Sequence, residues 1–236
     1  MNYAKMFTAE AVNELFKIWA SGEFYAGIWA TLYTTLLATF FALVIGLPLG
    51  VLLVAGREDG VLPLPKPVMA VLNALINILR SVPFLILMIM VMPLSRLLMG
   101  TSVGTKGTIV PLVVAAFPFM ARLIESSLRE VDAGMIEAAQ SMGATPFQII
   151  WKVMIPESIP SLAGQVTTAL TTILGYGAMA GAIGGDGLGK IAISYGYNRY
   201  KPLIMLVAVV LLVVIVNIIQ TVGSAIAVHS DKRLRK

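Results

Sequence analysis

The sequence contains no cysteine, which excludes disulfides, thiolate nucleophiles and cysteine-based metal or iron–sulfur sites together. It contains one histidine, His229. With no second histidine and no placed carboxylate beside it, a metal or general-base role lacks partners, and His229 reads as a solvated tail residue. Charge is scarce as well, at 12% of residues, while 58% are hydrophobic and the mean hydropathy is +0.89. That is more apolar surface than one soluble core can hide. The chain belongs in a bilayer, and no stretch is left over for a separate soluble domain. In this setting the net charge of +5 reflects loops retained on the cytoplasmic side, and nucleic acid is not an expected partner. The first long apolar run exceeds the core of a cleaved signal, so no removable targeting segment is expected. No internal repeat or low-complexity tract is present.

Five apolar stretches, near 26–54, 68–99, 108–125, 159–182 and 203–227, are long enough to cross the hydrocarbon at roughly 20 residues each. The expected architecture is therefore all-α and integral to the membrane, with five transmembrane helices and the termini on opposite sides. The tail H-S-D-K-R-L-R-K is strongly basic, which places the C-terminus in the cytoplasm and the N-terminus outside. This gives an external segment 1–25, a membrane domain 26–227 and a cytoplasmic tail 228–236. The second stretch is awkward, because as one helix it would run about 48 Å through a core of about 30 Å. Asn73, Asn77, Arg80 and Ser81 form a polar stripe on it, and Pro83 can kink it. Arg80 either lines an internal cavity or anchors the helix end at the cytoplasmic surface. Small residues allow close helix contact at Gly46 and Gly50, and again at Gly175, Gly177, Ala178, Ala180 and Gly181.

The one cytoplasmic loop with internal order is 131–156. Val131, Met135, Ala138 or Ala139, and Met142 recur at helical spacing, and Gly143 is suited to stop that helix in a left-handed conformation. Thr145 then offers an N-cap, Pro146 a first helical residue and Gln148 a capping-box partner for a second helix that Pro156 limits. Its expected apolar face is Phe147, Ile150, Trp151 and Met154. Two such short helices need something to rest on. A lipid surface would call for basic residues on the polar face, whereas Asp132, Glu137, Gln140 and Ser141 dominate it, with Lys152 alone in the second helix. A protein partner fits better.

Glu137, Ala138, Ala139 and Gly143, with Pro156 in register behind them, resemble the EAA loop of ABC-type importer permeases. Val153 and Ile155 stand where that pattern usually has Ile and Leu. G-L-P-L-G at 46–50, R-S-V-P-F at 80–84, G-T-S-V-G at 100–104, P-F-M-A-R at 118–122, S-M-G-A-T-P at 141–146 and G-Y-G-A-M-A-G-A-I-G at 175–184 extend the resemblance over nearly the whole chain, to the methionine-type permeases. The resemblance implies a type I ABC importer permease fold. It also implies a coupling helix pair, through Glu137, Ala138, Ala139, Gly143 and Pro156, that docks on a cytoplasmic ATPase. By the same resemblance, two ATPase subunits are expected to bind the ATP and magnesium, so that this subunit needs no cofactor, and an external binding lipoprotein to deliver methionine or another amino acid. A ring of five helices leaves little room for a solute, so a second copy is expected to pair with the fourth span across a two-fold axis. Tyr176 and Met179, bulky and three apart among glycines and alanines, are candidate gate or pathway residues.

Gly184 to Lys190 fits G-x-x-x-x-G-K, most of a nucleotide-binding phosphate loop. The chemistry needs a following Ser or Thr to hold magnesium and a preceding strand, and this sequence has Ile191 and a transmembrane stretch instead. An external turn that meets a delivery protein is the better expectation, with Tyr195, Tyr197 and Tyr200 as interface or aromatic-belt residues. An ion-coupled secondary transporter would carry acidic residues within the spans; the candidate nearest to this, Glu125, falls at a helix end. A membrane-embedded enzyme would need clustered His, Asp, Glu or Cys at membrane depth, which the chain lacks.

Overall fold

A chain this apolar satisfies its backbone donors and acceptors within continuous helices. In the computed structural model, which describes residues 8–231, no strand is found among the described residues. Lys232, Arg233, Arg235 and Lys236, the tail residues on which the sequence-based orientation leans, lie outside the described residues. Helix α1 (Ala9–Ala20) opens at Thr8, whose hydroxyl accepts from the Ala11 N–H. After Gly22 comes α2 (Glu23–Ala55), then α3 (Lys66–Ser81), α4 (Phe84–Met99) and α5 (Gly104–Arg129). Next are α6 (Ala133–Ser141), α7 (Pro146–Ile149), α8 (Ile155–Ala180), α9 (Leu188–Ile191) and α10 (Pro202–Ser230).

Among the described residues four helical runs are long and apolar enough to cross a membrane: α2, α5, the run Pro146–Ile183 and α10. The expected second span is not one helix. The helix breaks at Val82–Pro83 into α3 and α4, so the spans number five only if this broken pair counts as one. The cause is local. Pro83 has no N–H to continue the ladder, and its ring forces Val82 into an extended conformation, φ −77°, ψ 127°.

The chain divides into two compact units. The first draws on residues up to Ala38, Phe84–Val113 and Leu170–Ile219. Its core gathers Ile18 from α1, Phe24 from α2, Leu174 from α8, Leu188 and Ile191 from α9, and Ile204 from α10. Glu14 of α1 pairs with Lys201 at the head of α10. The second unit takes Thr39–Pro83, Val114–Ala169 and the residues from Gln220 onward. There α2, α3 and α5 meet through Leu53, Ile76 and Ala121, flanked by Leu49 and Leu72.

Close approach of α2 and α5 depends on glycine. A methyl group added at Gly46 would lie 2.8 Å from Met120 Cγ, and one at Gly50 would lie 2.7 Å from Ile124 Cβ and 2.8 Å from the Ala121 carbonyl oxygen. The expected small-residue contact is thus present here. It is absent at Gly175 and Gly177, where an added methyl would meet nothing within 4 Å.

This contrast predicts that Gly50→Leu forces α2 away from α5 and destabilises the fold by about 1–3 kcal/mol. Gly175→Ala should leave stability unchanged or raise it by up to about 1 kcal/mol through helix propensity. Thermal unfolding in detergent, followed by tryptophan fluorescence, checks both.

Candidate functional site

The segment joining α5 to α8 folds as a capped handle. Asp132 accepts the Gly134 N–H at 2.7 Å and starts α6. The helix stops as its sequence predicts. Gly143 takes φ +77°, its N–H bonds the Gln140 carbonyl at 2.9 Å, and the Ala144 N–H reaches back to the Ala139 carbonyl at 3.1 Å. This paired closure satisfies the last carbonyls of a helix and favours a residue without Cβ at the left-handed position. Two residues on, the capping box is complete: the Thr145 hydroxyl accepts from the Gln148 N–H at 3.4 Å, and the Thr145 N–H donates to Gln148 Oε1 at 2.9 Å.

Pro156 does not limit the second helix. The chain passes from α7 through a π-helical turn, Ile150–Met154, into α8. The Ile155 N–H bonds the Ile150 carbonyl five residues back, and this wider turn accommodates a residue that lacks an N–H and would crowd the preceding coil. Helix α7 is therefore the first turn of a 38-residue helical run, Pro146–Ile183.

The expected apolar face is divided: Phe147 and Trp151 are turned outward with parallel rings 6.4 Å apart, as a face that rests on a partner requires, whereas Met154 packs into its own chain, as does Ile149. Of the five predicted coupling residues, Glu137, Ala138, Gly143 and Pro156 are exposed. Ala139 is 4% exposed and faces its own chain. Met142, at 81% exposure, and Phe147, at 72%, are the most exposed large apolar residues of this segment. Periodicity alone could not separate the two faces, because a four-residue helix that runs into a π turn rotates side chains away from the regular 3.6 spacing.

On α8, Tyr176 and Met179 are placed differently from each other. The Tyr176 ring stacks on Phe84 at 4.5 Å with an interplanar angle of 5°, and Met179 projects outward at 51% exposure. Phe84 comes directly after the Val82–Pro83 break. Its pairing with Tyr176 spans 92 positions of sequence, beyond the reach of any local signal.

The glycine-rich segment 184–190 is a clasp. Asp186 accepts from the Thr105 N–H at 2.8 Å, from the Thr105 hydroxyl at 3.0 Å and from Lys190 Nζ at 2.9 Å. Its own amides are engaged: Gly185 N–H on the Ala180 carbonyl, Leu188 N–H on Thr31 Oγ1 and Ile191 N–H on the Gly187 carbonyl. Gly184 and Gly187 supply φ values of +101° and +110°. These amides turn inward and do not form a phosphate cradle. Beside the clasp, Tyr195 donates to Glu23 and lies under the Arg199 guanidinium at 4.5 Å, while Tyr197 and Tyr200 are exposed. Among the described residues no three His, Cys, Asp or Glu side chains could hold a metal ion.

A partly buried polar ring links α3 and α5. Arg122 donates through Nη1 to Glu125 Oε2 at 2.7 Å and through Nη2 to Asn73 Oδ1 at 2.8 Å and Asn77 Oδ1 at 2.9 Å. Arg129 pairs with the other oxygen of Glu125, which is only 5% exposed. The polar stripe on α3 is thus split by function. Asn73 and Asn77 face the ring, whereas Arg80 is exposed in the last turn of α3 and Ser81 bonds back to the Asn77 carbonyl.

The chain resembles proteins of one kind. Residues 46–236 match the model of the binding-protein-dependent transport system inner membrane component family. The chain is 50% identical over 205 residues to the probable D-methionine transport system permease protein MetI of Vibrio cholerae, covering 87% of this chain and 91% of that protein. It is 46% identical over 155 residues to the D-methionine transport system permease protein MetI of Escherichia coli K12, covering 66% of this chain and 71% of that protein. A solved structure of the MetNI methionine ABC transporter in an inward facing conformation matches with a TM-score of 0.88 at 43% identity, over 90% of this chain and 98% of that one. An amino acid ABC transporter crystallised with histidines, at 20% identity and a TM-score of 0.69 over 93% of this chain and 98% of that one, shares the fold.

The clasp generates a pH prediction. Burial pushes the Asp186 carboxyl up, but Lys190 and Thr105 together outweigh it and hold the group below its ordinary value. A carboxyl depressed on folding stabilises fully above its unfolded value of about 3.9, and that contribution disappears as pH falls through the folded value. Asp186→Asn should therefore unfold at a lower temperature than the wild type at about pH 7, and the gap should close below about pH 4. Melting curves of both proteins across that range check this.

Proposed function

Because the chain belongs to the family of binding-protein-dependent transport system inner membrane components, we propose that it is the permease subunit of an ABC importer for methionine, in the bacterial inner membrane. Two copies form the pathway. Two cytoplasmic ATPase subunits grip the 131–156 segments, and an external lipoprotein delivers the substrate. Residues 1–25 lie outside, 26–227 form the membrane domain with the broken α3–α4 pair as its second span, and the tail 228–236 lies in the cytoplasm.

One observation carries this reading. The capped handle offers Glu137, Ala138, Met142 and Phe147 outward, and the helical run that begins at Pro146 also carries Tyr176 and Met179. A small alanine at the exposed position allows close docking of a partner, and the apolar groups around it give that partner something to bury. Gly143 and Pro156 shape the handle, and Ala139 seats it against its own chain. ATP and magnesium are bound by the ATPase, and the work of this subunit is mechanical. The open faces of Gly175 and Gly177 are where a second copy or a passing solute is accommodated, with Tyr176 and Met179 as the gate.

Reconstitution in vesicles with its ATPase and binding lipoprotein should give methionine uptake that depends on ATP and survives collapse of the proton gradient. Ala138→Trp, on an exposed surface, should keep the purified chain folded and reduce uptake at least about tenfold, since an indole blocks close docking. Wild-type uptake by that variant would refute the docking role. Met179→Ala should change ATP hydrolysis, uptake rate or selectivity with no loss of thermal stability, and no change in any of the three would retire the gate.

A further inference from the structure

The ring around Arg122 has properties that stability does not explain. Glu125 is 5% exposed and Arg122 is largely buried, in a helix apolar enough to span the membrane. Well-packed apolar side chains of the same volume stabilise such a place as well or better, so a buried ionic cluster is weak as a stabiliser and strong as a device that rejects other arrangements.

What it can reject is a sliding of α3. The apolar seam of α3 is thin: Ile76 is its one buried side chain, with Leu72 half-buried beside the cluster of Leu53 and Ala121. Aliphatic side chains of similar size specify axial position poorly. Asn73 and Asn77 are one turn apart, and one guanidinium nitrogen, Arg122 Nη2, binds both carbonyl oxygens. A shift of one turn, about 5.4 Å, would strip Arg122 of one acceptor. Arg122 could not move with it, because its other nitrogen is held by Glu125, which Arg129 grips in turn.

Arg129 is the last residue of α5, three residues before the Asp132 cap of α6. The ring therefore ties α3 to the helix that leads directly into the handle. We propose that Arg122 is a positioning residue for transport: it locks α3 to α5 in one register, so that α3 moves with the handle when the motor pulls on it. This rests on the proposed importer function. The lock converts displacement of α6 into displacement of the broken span that α3 begins, which a loose apolar seam would lose as slippage.

The test uses the full complex in vesicles and reads methionine taken up per ATP hydrolysed. Asn73→Leu with Asn77→Leu removes both acceptors from α3 and leaves Arg122 its bond to Glu125. Uptake per ATP should fall at least about tenfold, with ATP hydrolysis within about twofold of wild type and the melting temperature little changed. Asn77→Asp, which keeps an acceptor opposite the guanidinium, should retain the wild-type ratio. An unchanged ratio in the double variant overturns the lock. So does a parallel fall of uptake, hydrolysis and melting temperature, which would mark the ring as structural only. Absence of ATP-driven uptake in the wild-type complex would instead overturn the importer function, and the lock with it.

Discussion

Every peptide group of a chain in hydrocarbon must find its partner nearby, and this requirement shapes the molecule from end to end. It explains why the described residues are helical almost throughout, and why the departures are few and individually repaired. At Val82–Pro83 the ladder is interrupted by a residue with no donor. At Pro156 a π turn absorbs the same defect without a break. Between α8 and α9 the glycine-rich turn folds its amides onto the Ala180 carbonyl, Thr31 and its own backbone, with Thr105 donating to Asp186. Irregular backbone survives in such a chain where its polar groups find partners, as the Gly185 and Leu188 amides do here.

The same economy applies to side chains. Threonine hydroxyls along α2 return to carbonyls one turn back, as Thr31 does to Gly27 and Thr34 to Ala30. The buried carboxylate of Glu125 is held between two arginines. Held this way it is a fixed element of structure, unlike the free acid–base groups that line a proton relay. Mechanical coupling needs stiff elements joined at defined places, and the chain supplies both. Glycine lets α2 and α5 approach to backbone distance, the ring fixes α3 beside them, and the handle continues without interruption into α8.

Local chemistry is legible in the sequence wherever one short stretch contains the whole cause. Gly143 at φ +77° and the Thr145–Gln148 capping box are readable because a helix stop and a helix start are each decided within a few residues. The apolar spans are readable for the same reason. Pro156 is not, because proline carries the same local signal whether it ends a helix or rides on a π turn, and the choice between them depends on what the helix beyond it packs against. Local pattern finds the apolar residues of this stretch but does not say which of them its own chain covers, and the same turn leaves Ile149 and Met154 buried with Trp151 outward.

Composition and local pattern alone pointed to an all-helical membrane chain with a capped handle, though only to a kink where the second span breaks at Val82–Pro83, and not to the start of the fourth helical run at Pro146. Tertiary structure decided which polar residues face each other. By sequence Asn73 and Asn77 belong to a stripe with Arg80, and it is α5 that brings Arg122 against them. By sequence Asp186 belongs to a phosphate-loop pattern, and it is Thr105 and Lys190 that close on it. The reason is physical. A helix or a cap is stabilised by bonds among neighbours in the chain, whereas a charged group away from water also takes whatever partner packing brings to it: Arg122 finds Asn77 45 residues away and Asp186 finds Thr105 81 residues away, beside ion pairs three or four residues off.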